Sequence, residues 1–261
     1  MTSELDLLSN MQPLVSDNIR LAATVLLMRD GVRGPEVFMV QRPRTGDFPD
    51  LHVFPGGKVD MQDFLPEHAA GLDDDEASRM IGVDAGGLRS WVAAIRECFE
   101  ECGVLLATRN GEPVQLKDAA ESQRFEENRH ALISGELSMD SFCKAEDLEL
   151  ACDRLTYFSH WITPETAPRR FDTRFFITRM PDGQATLAHV WETADDVWVV
   201  PNDALAEYRA GRWQMISPTL TTLASIAEYQ TVTEMLADVA REGHLDELTD
   251  EMRTQGMHPL R

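Results

Sequence analysis

The chain has 261 residues, 43% hydrophobic and 26% charged, proportions of an ordinary folded protein that fit neither a disordered chain nor a fibrous repeat. Acidic residues number 45 against 24 Lys and Arg, a net charge of −21, which argues against nucleic acid or an anionic membrane as partner because basic side chains hold those first. The longest apolar run, residues 21–28, is far short of the roughly 20 residues a membrane span needs. Residues 1–14 lack the basic start and apolar middle of an export signal, and Cys98, Cys102, Cys143 and Cys152 show no zinc-finger or Cys-x-x-Cys spacing, so the expectation is a cytoplasmic protein with reduced thiols.

In chain order, residues 19–28 read as a strand, Asp30-Gly31 as a turn and residues 36–41 as a second strand. Pro43, Gly46, Pro49, Pro55, Gly56 and Gly57 then break regular structure, with a short strand at 52–54. Residues 64–87 change in composition and read as an insertion holding one short helix that Asp73 to Glu76 caps and Gly82 ends. Residues 88–107 carry the strongest helical pattern. At 100° per residue, Trp91, Ile95, Cys98, Phe99, Cys102, Leu105 and Leu106 fall within an arc of about 120°, and Glu97, Glu100 and Glu101 share the opposite side within about 100°. Gly103 lies inside this pattern, where it costs about 1 kcal/mol relative to Ala.

Downstream, residues 119–133 and 138–151 read as helices, 155–161, 171–179, 185–191 and 197–200 as strands, and 203–210, 220–240 and 244–255 as helices. Strands on both sides of a central helix predict a mixed α/β (α+β) fold. The simplest division is one domain over 1–261, with a core at 18–202, the insertion at 64–87 and a helical C-terminal extension at 203–261.

Gly57-x5-Asp63 followed by Arg96-Glu97-Cys98-Phe99-Glu100-Glu101-Cys102-Gly103-Val104 resembles the box of the Nudix hydrolase family, Gly-x5-Glu-x7-Arg-Glu-U-x-Glu-Glu-x-Gly-U with U apolar. The second half matches in full. In the first half Asp63 stands where the family has Glu, and 32 residues rather than 7 separate it from Arg96. The segment 52–60, the insertion, and 160–164 with 169–176 are similar to the long-insert branch that includes the motif 19 type coenzyme A diphosphatases. Of the coenzyme A signature of related enzymes, Arg42 and Phe54-Pro55-Gly56-Gly57 fit, whereas Asp50 replaces a usual glycine.

The resemblance implies a Nudix-type mixed sheet packed between helices and a Mg²⁺ or Mn²⁺ centre on Glu97, Glu100 and Glu101 with the Gly57 carbonyl. The residue types agree, since a row of like carboxylates repels itself and raises its own pKa values unless a hard cation relieves it. It implies hydrolysis of a diphosphate, with coenzyme A or an acyl derivative giving 3′,5′-ADP and (acyl-)4′-phosphopantetheine. ADP-ribose, NADH or a nucleoside triphosphate is the alternative substrate, and a ligand sensor on the same scaffold the alternative of another class. Arg96 is expected to orient Glu100 by an i,i+4 ion pair, and Gly103 to serve the helix structurally. Glu192, with Asp195 and Asp196 beside it, is the candidate general base. Arg42, Arg44, Lys58 and Arg170 are candidate phosphate contacts, local cations that count because screening acts within about 8 Å. Arg170 has a second reading, an ion pair with Asp172. The partner implied is a small nucleotide substrate, and a homodimer stays open.

Overall fold

The computed structural model describes residues 11–16, 19–42, 50–116, 118–167, 169–186 and 195–241. A short strand β1 (Val15–Ser16) turns back on β2 (Ile19–Gly31), around which the main sheet is organised. Side chains of β2 alternate: Leu21, Ala23, Val25 and Leu27 enter one hydrophobic cluster, Leu26 and Met28 another, so both faces need cover. β3 (Gly34–Gln41) returns antiparallel beside the end of β2. β4 (His52–Val53) pairs with β3, and β5 (Gly56–Lys58) pairs with Ala22 to Thr24 of β2.

Two helices come next in the chain, α1 (Asp74–Ile81) and α2 (Leu88–Cys102). A small second sheet has β6 (Ala107–Arg109) between β7 (Glu112–Pro113) and β8 (Glu149–Leu150), and between these strands lie α3 (Ala119–Ser134) and α4 (Met139–Glu146). β9 (Thr156–Ile162), β10 (Arg170–Arg179) and β11 (Asp195–Val199) complete the main sheet in the order β11-β3-β2-β10-β9. β10 runs parallel to β2 and the other pairings are antiparallel, which makes the sheet mixed. The helix α2 covers one face. α5 (Pro201–Arg209), α6 (Ser217–Ile226) and α7 (Val232–Val239) cover the other through Ala204, Leu223, Ile226, Val232 and Met235. This is the mixed sheet between helices that the sequence predicts.

Several boundaries differ for local reasons. The first hairpin turns at Val32-Arg33 rather than Asp30-Gly31, because β2 continues through Gly31, which pairs with Gly34. α2 stops at Cys102, not at residue 107: Gly103 takes φ 70° and caps the helix, and Val104, Leu105 and Leu106 are buried as extended chain. Gly103 is thus the end of the helix, where its left-handed backbone is an asset, and no interior penalty arises. The helix expected at 138–151 is α4 alone. Ser138 caps it, Asp147 in a left-handed conformation ends it, and Leu150 continues as a strand opposite Ala107. The helix expected at 220–240 divides into α6 and α7, since Thr231 Oγ1 accepts the Glu234 N–H at 3.1 Å and Asp30 accepts the Val232 N–H at 2.7 Å, starting a new helix. Ala185 and Thr186 are irregular rather than strand. The remainder of that expected strand and the helix at 244–255 lie outside the described residues. All four cysteines are buried free thiols.

Candidate active site

α2 is seated by its apolar side. Trp91, Val92, Ile95 and Phe99 are buried against the sheet, and the Trp91 indole donates to the Leu155 carbonyl at 3.2 Å. Arg96, Glu97, Glu100 and Glu101 are therefore left on the side toward β5. A Cβ built on Gly57 would lie 2.4 Å from Oε1 and 2.5 Å from Cδ of Glu97, so the backbone approaches that carboxylate as closely as only glycine allows. The preceding N–H, of Gly56, donates to Glu101 Oε2 at 2.9 Å. Two consecutive residues of one short strand thus lie against two carboxylates of one helix, one by a hydrogen bond and one by close approach.

Arg96 binds this arrangement together. Its Nε and Nη2 make a fork onto Asp63 at 2.8 and 3.0 Å, Nη1 reaches Glu97 at 2.8 Å and Glu100 at 3.2 Å, and Nη2 also donates to the Lys58 carbonyl at 2.8 Å. The expected pair with Glu100 is present, but the stronger partner is Asp63, which is fully buried. Asp63 closes a single 3₁₀ turn, Met61–Asp63, where it accepts the Asp60 N–H at 2.7 Å while Asp60 accepts the Gln62 N–H at 3.0 Å. The extra residues before Arg96 leave Asp63 in place to orient the arginine. Burial pushes the Glu100 carboxyl up to about 7, the Glu97 charge adds to this and Arg96 opposes it. Burial, not the repulsion expected from the sequence, is the larger cause.

The donors facing β5 are oxygens alone, carboxylates of Glu97, Glu100 and Glu101 with the Gly57 backbone beside them, a chemistry that suits a hard divalent cation. The cradle at Gly57, which a methyl group would fill, fits the same group. Elsewhere, Glu67, His68 and Asp140 bring ligand atoms within 4.8 Å of one another. There His68 Nε2 lies 2.9 Å from Asp140 and Lys144 donates to Asp140 at 2.8 Å.

A family model described as the NUDT19 Nudix domain matches residues 86–226, which span α2 and the sheet strands after it. The chain belongs to this family. Among curated proteins it is 28% identical over 217 residues to "Putative nudix hydrolase 7" of Caenorhabditis elegans, covering 82% of this chain and 62% of the relative. It is 26% identical over 239 residues to "Acyl-coenzyme A diphosphatase NUDT19" of Xenopus laevis, covering 77% and 62%. The chain therefore spans about 62% of the length of these relatives. Among solved structures, a NUDIX hydrolase from Alicyclobacillus acidocaldarius superposes with a TM-score of 0.70 at 26% identity, over 84% of this chain and 96% of the other.

Around this candidate site the other predicted residues are dispersed. Lys58 ends β5 and is exposed. Arg42 follows β3, half-buried, its N–H donating to the Leu51 carbonyl at 2.9 Å. Arg170 pairs in register with Ile19, while Gly57 pairs with Ala23 on the far side of β2. Four residues along and two strands across put it about 16 Å from Gly57. Its Nε donates to the Thr163 carbonyl at 3.0 Å. Asp172 pairs instead with His160 at 2.5 Å and with Arg174, and the two hold its carboxyl at about 2 although burial pulls it upward. Asp195 and Asp196 belong to β11 itself, opposite Gln41 and Val40, rather than to the loop before it. Arg44 and Glu192 lie outside the described residues. No helix among the described residues is long and apolar enough to cross a membrane. Sequence patterns do not show the stack of His52 on Trp213, centroids 4.0 Å apart, which ties residues before the glycine pair to the loop after α5; only an aromatic at each position hints at it.

Proposed function

We propose that this chain is a divalent-metal-dependent diphosphatase that splits coenzyme A or an acyl derivative into 3′,5′-ADP and (acyl-)4′-phosphopantetheine. The observation that carries the chemistry is the seat of Gly57 against Glu97, with Arg96 holding Glu97 and Glu100 together and Gly56 holding Glu101. The substrate is supported by the relatives from Xenopus laevis and Gallus gallus, both named acyl-coenzyme A diphosphatase, the second 27% identical over 285 residues.

Glu97, Glu100, Glu101 and the Gly57 carbonyl would hold Mg²⁺ or Mn²⁺, which supplies Lewis acidity toward phosphoryl oxygens and a more acidic water. The protein's own part is to fix the charges. Asp63 locks the Arg96 fork, and the fork keeps Glu97 and Glu100 from swinging into solvent. Lys58, Arg42 and Arg44 are the cations that would meet the diphosphate, and Glu192 is the base that would take the proton of the attacking water. Arg170, remote from Gly57, suits a distant anionic group such as the 3′-phosphate.

The test is a product screen resolved by mass, with and without Mg²⁺ or Mn²⁺, across coenzyme A, dephospho-coenzyme A, ADP-ribose, NADH and nucleoside triphosphates. The expected products are 3′,5′-ADP and 4′-phosphopantetheine. If arginines meet the 3′-phosphate, dephospho-coenzyme A loses about ten- to a hundredfold in kcat/KM. A preference for ADP-ribose or NADH would refute the substrate, and metal-independent turnover would refute the chemistry.

A further inference from the structure

Among the described residues three arginines are buried outside the acidic row, Arg89, Arg129 and Arg174. Arg129, in the middle of α3, is 2% exposed, a place where a guanidinium is costly unless it is fully paired. Its Nε and Nη2 donate to Glu126 at 3.0 and 2.8 Å, and its Nη1 donates to the main-chain carbonyl of Glu100 at 3.2 Å. The last four carbonyls of a helix have no partner inside it. In α2 these begin at Phe99, whose carbonyl accepts the Gly103 N–H at 2.9 Å, and the next is that of Glu100. Arg129 thus takes over where the glycine cap stops, at a residue whose side chain belongs to the acidic row.

A second contact fixes the same turn. Phe125, one helical turn before Arg129 on the same side of α3, packs edge-on to Phe142 of α4, and Phe142 stacks flat on Phe99 of α2 at 5.4 Å. Phe99 and Glu100 are neighbours, so α3 and α4 hold the last turn of α2 by an aromatic contact and a charged hydrogen bond at adjacent residues. Other arginines nearby are engaged elsewhere: Arg109 and Arg124 pair with Glu121 and Glu146. Only a planar fork serves Glu126 with one edge and a helix carbonyl with another.

We propose that Arg129 is a positioning residue for the acidic row, holding the C-terminal turn of α2 by the Glu100 carbonyl so that Glu100 and Glu101 stay at their places opposite β5. This rests on the reading of that row as the metal-binding site. Arg129 touches neither substrate nor reacting atoms.

The test uses the whole chain with Arg129→Met, which keeps bulk and removes charge, Arg129→Lys, which keeps charge and removes the fork, and Arg124→Ala as an exposed control on the same helix. Mn²⁺ alone is titrated and followed by electron paramagnetic resonance, and kcat and KM for coenzyme A and thermal unfolding are measured in parallel. Arg129→Met is expected to weaken Mn²⁺ binding about fivefold or more and to lower kcat about tenfold with KM within twofold, as a misplaced ligand does. Arg129→Lys should follow it in both, because the fork matters more than the charge, and Arg124→Ala should match the parent. If Arg129→Met does not fold, Arg129→Lys is read the same way. Native Mn²⁺ affinity and kcat in a folded variant, whatever its melting temperature, would overturn the proposal, as would tighter Mn²⁺ binding with native kcat. Glu101→Gln separates the two levels: if it binds Mn²⁺ like the parent, the metal site is wrongly placed, whereas its loss beside a native Arg129→Met condemns the positioning role alone.

Discussion

Replacing Gly57 by Ala should separate catalysis from stability. The added methyl would stand 2.4 Å from Glu97 Oε1, well inside van der Waals contact, so the carboxylate must retreat by about 1 Å or more. What it meets is the end of a side chain, which can move. The retreat breaks the 2.8 Å bond from Arg96 Nη1 to Glu97, while Arg96 keeps Asp63 and Glu100. One charge-assisted hydrogen bond at a largely buried site is worth about 1.5–3 kcal/mol at most, and loss of glycine's freedom in the unfolded chain returns about 0.4–1. Stability should therefore fall by no more than about 3 kcal/mol, roughly 6 °C in melting temperature for a chain of this size. A metal ligand displaced by 1 Å, by contrast, costs about a hundredfold in kcat. Gly56→Ala is the control with the opposite outcome, since its methyl would lie 2.4 Å from the Ala23 carbonyl oxygen and 2.7 Å from the Thr24 Cα. Backbone in the middle of a sheet cannot retreat, and the variant should lose stability first. Calorimetry with steady-state turnover decides. Native kcat in Gly57→Ala, or equal destabilisation by both, would refute the placement of Glu97 against Gly57.

Asp63→Asn removes the charge that faces the Arg96 fork from a fully buried position and should cost about 3 kcal/mol in urea unfolding, together with much of kcat; a loss below about 1 kcal/mol would show the fork to be dispensable. Glu100 is held at about 7 in the folded protein against an ordinary value near 4.5, so the folded state binds the extra proton across that interval. Metal-free stability should fall as pH rises from about 4.5 to 7, by at most about 3 kcal/mol, and Glu100→Gln should flatten the slope of urea midpoints. Asp172, held at about 2, acts in the other direction and only at low pH: its contribution is present above about 4 and is lost as pH falls toward 2, which keeps the two windows apart. Dialysis against a chelator should abolish turnover and Mg²⁺ or Mn²⁺ restore it, and turnover in ¹⁸O-water should label a phosphoryl product; label in a carboxylic acid would mean thioester hydrolysis instead.

The acidic face of α2 is legible in the sequence because helical geometry is local: residues 96–103 carry both the spacing and the apolar partners that turn it outward. The glycine that approaches it comes from the family resemblance and not from residue type, since Gly56 and Gly57 are adjacent and nothing local chooses between them. The partner of Arg96 is not legible, because nothing local links Asp63 to a helix that starts 25 residues later; the 3₁₀ turn that aims it exists only when Asp60 caps it. Helix ends go astray where apolar spacing continues past a cap, as at Gly103 and Thr231, since extended chain buries Val104 to Leu106 as well as a helix would. The parallel partnership of β2 with β10 leaves no trace in either strand.

That partnership governs how the protein is made. The ladder from Ile19–Arg170 to Met28–Arg179 joins segments about 150 residues apart. A nascent chain that has emerged through α2 holds the whole acidic row and both glycines, but the central strand still lacks its neighbour on one side. Until residues 170–179 emerge, β2 presents an open, apolar edge ready to pair with another chain. The helix α2 is complete early in synthesis, and the floor beneath it is finished only when the strand beyond Thr163 arrives, so fragments ending before β10 should be handled by chaperones rather than by solvent.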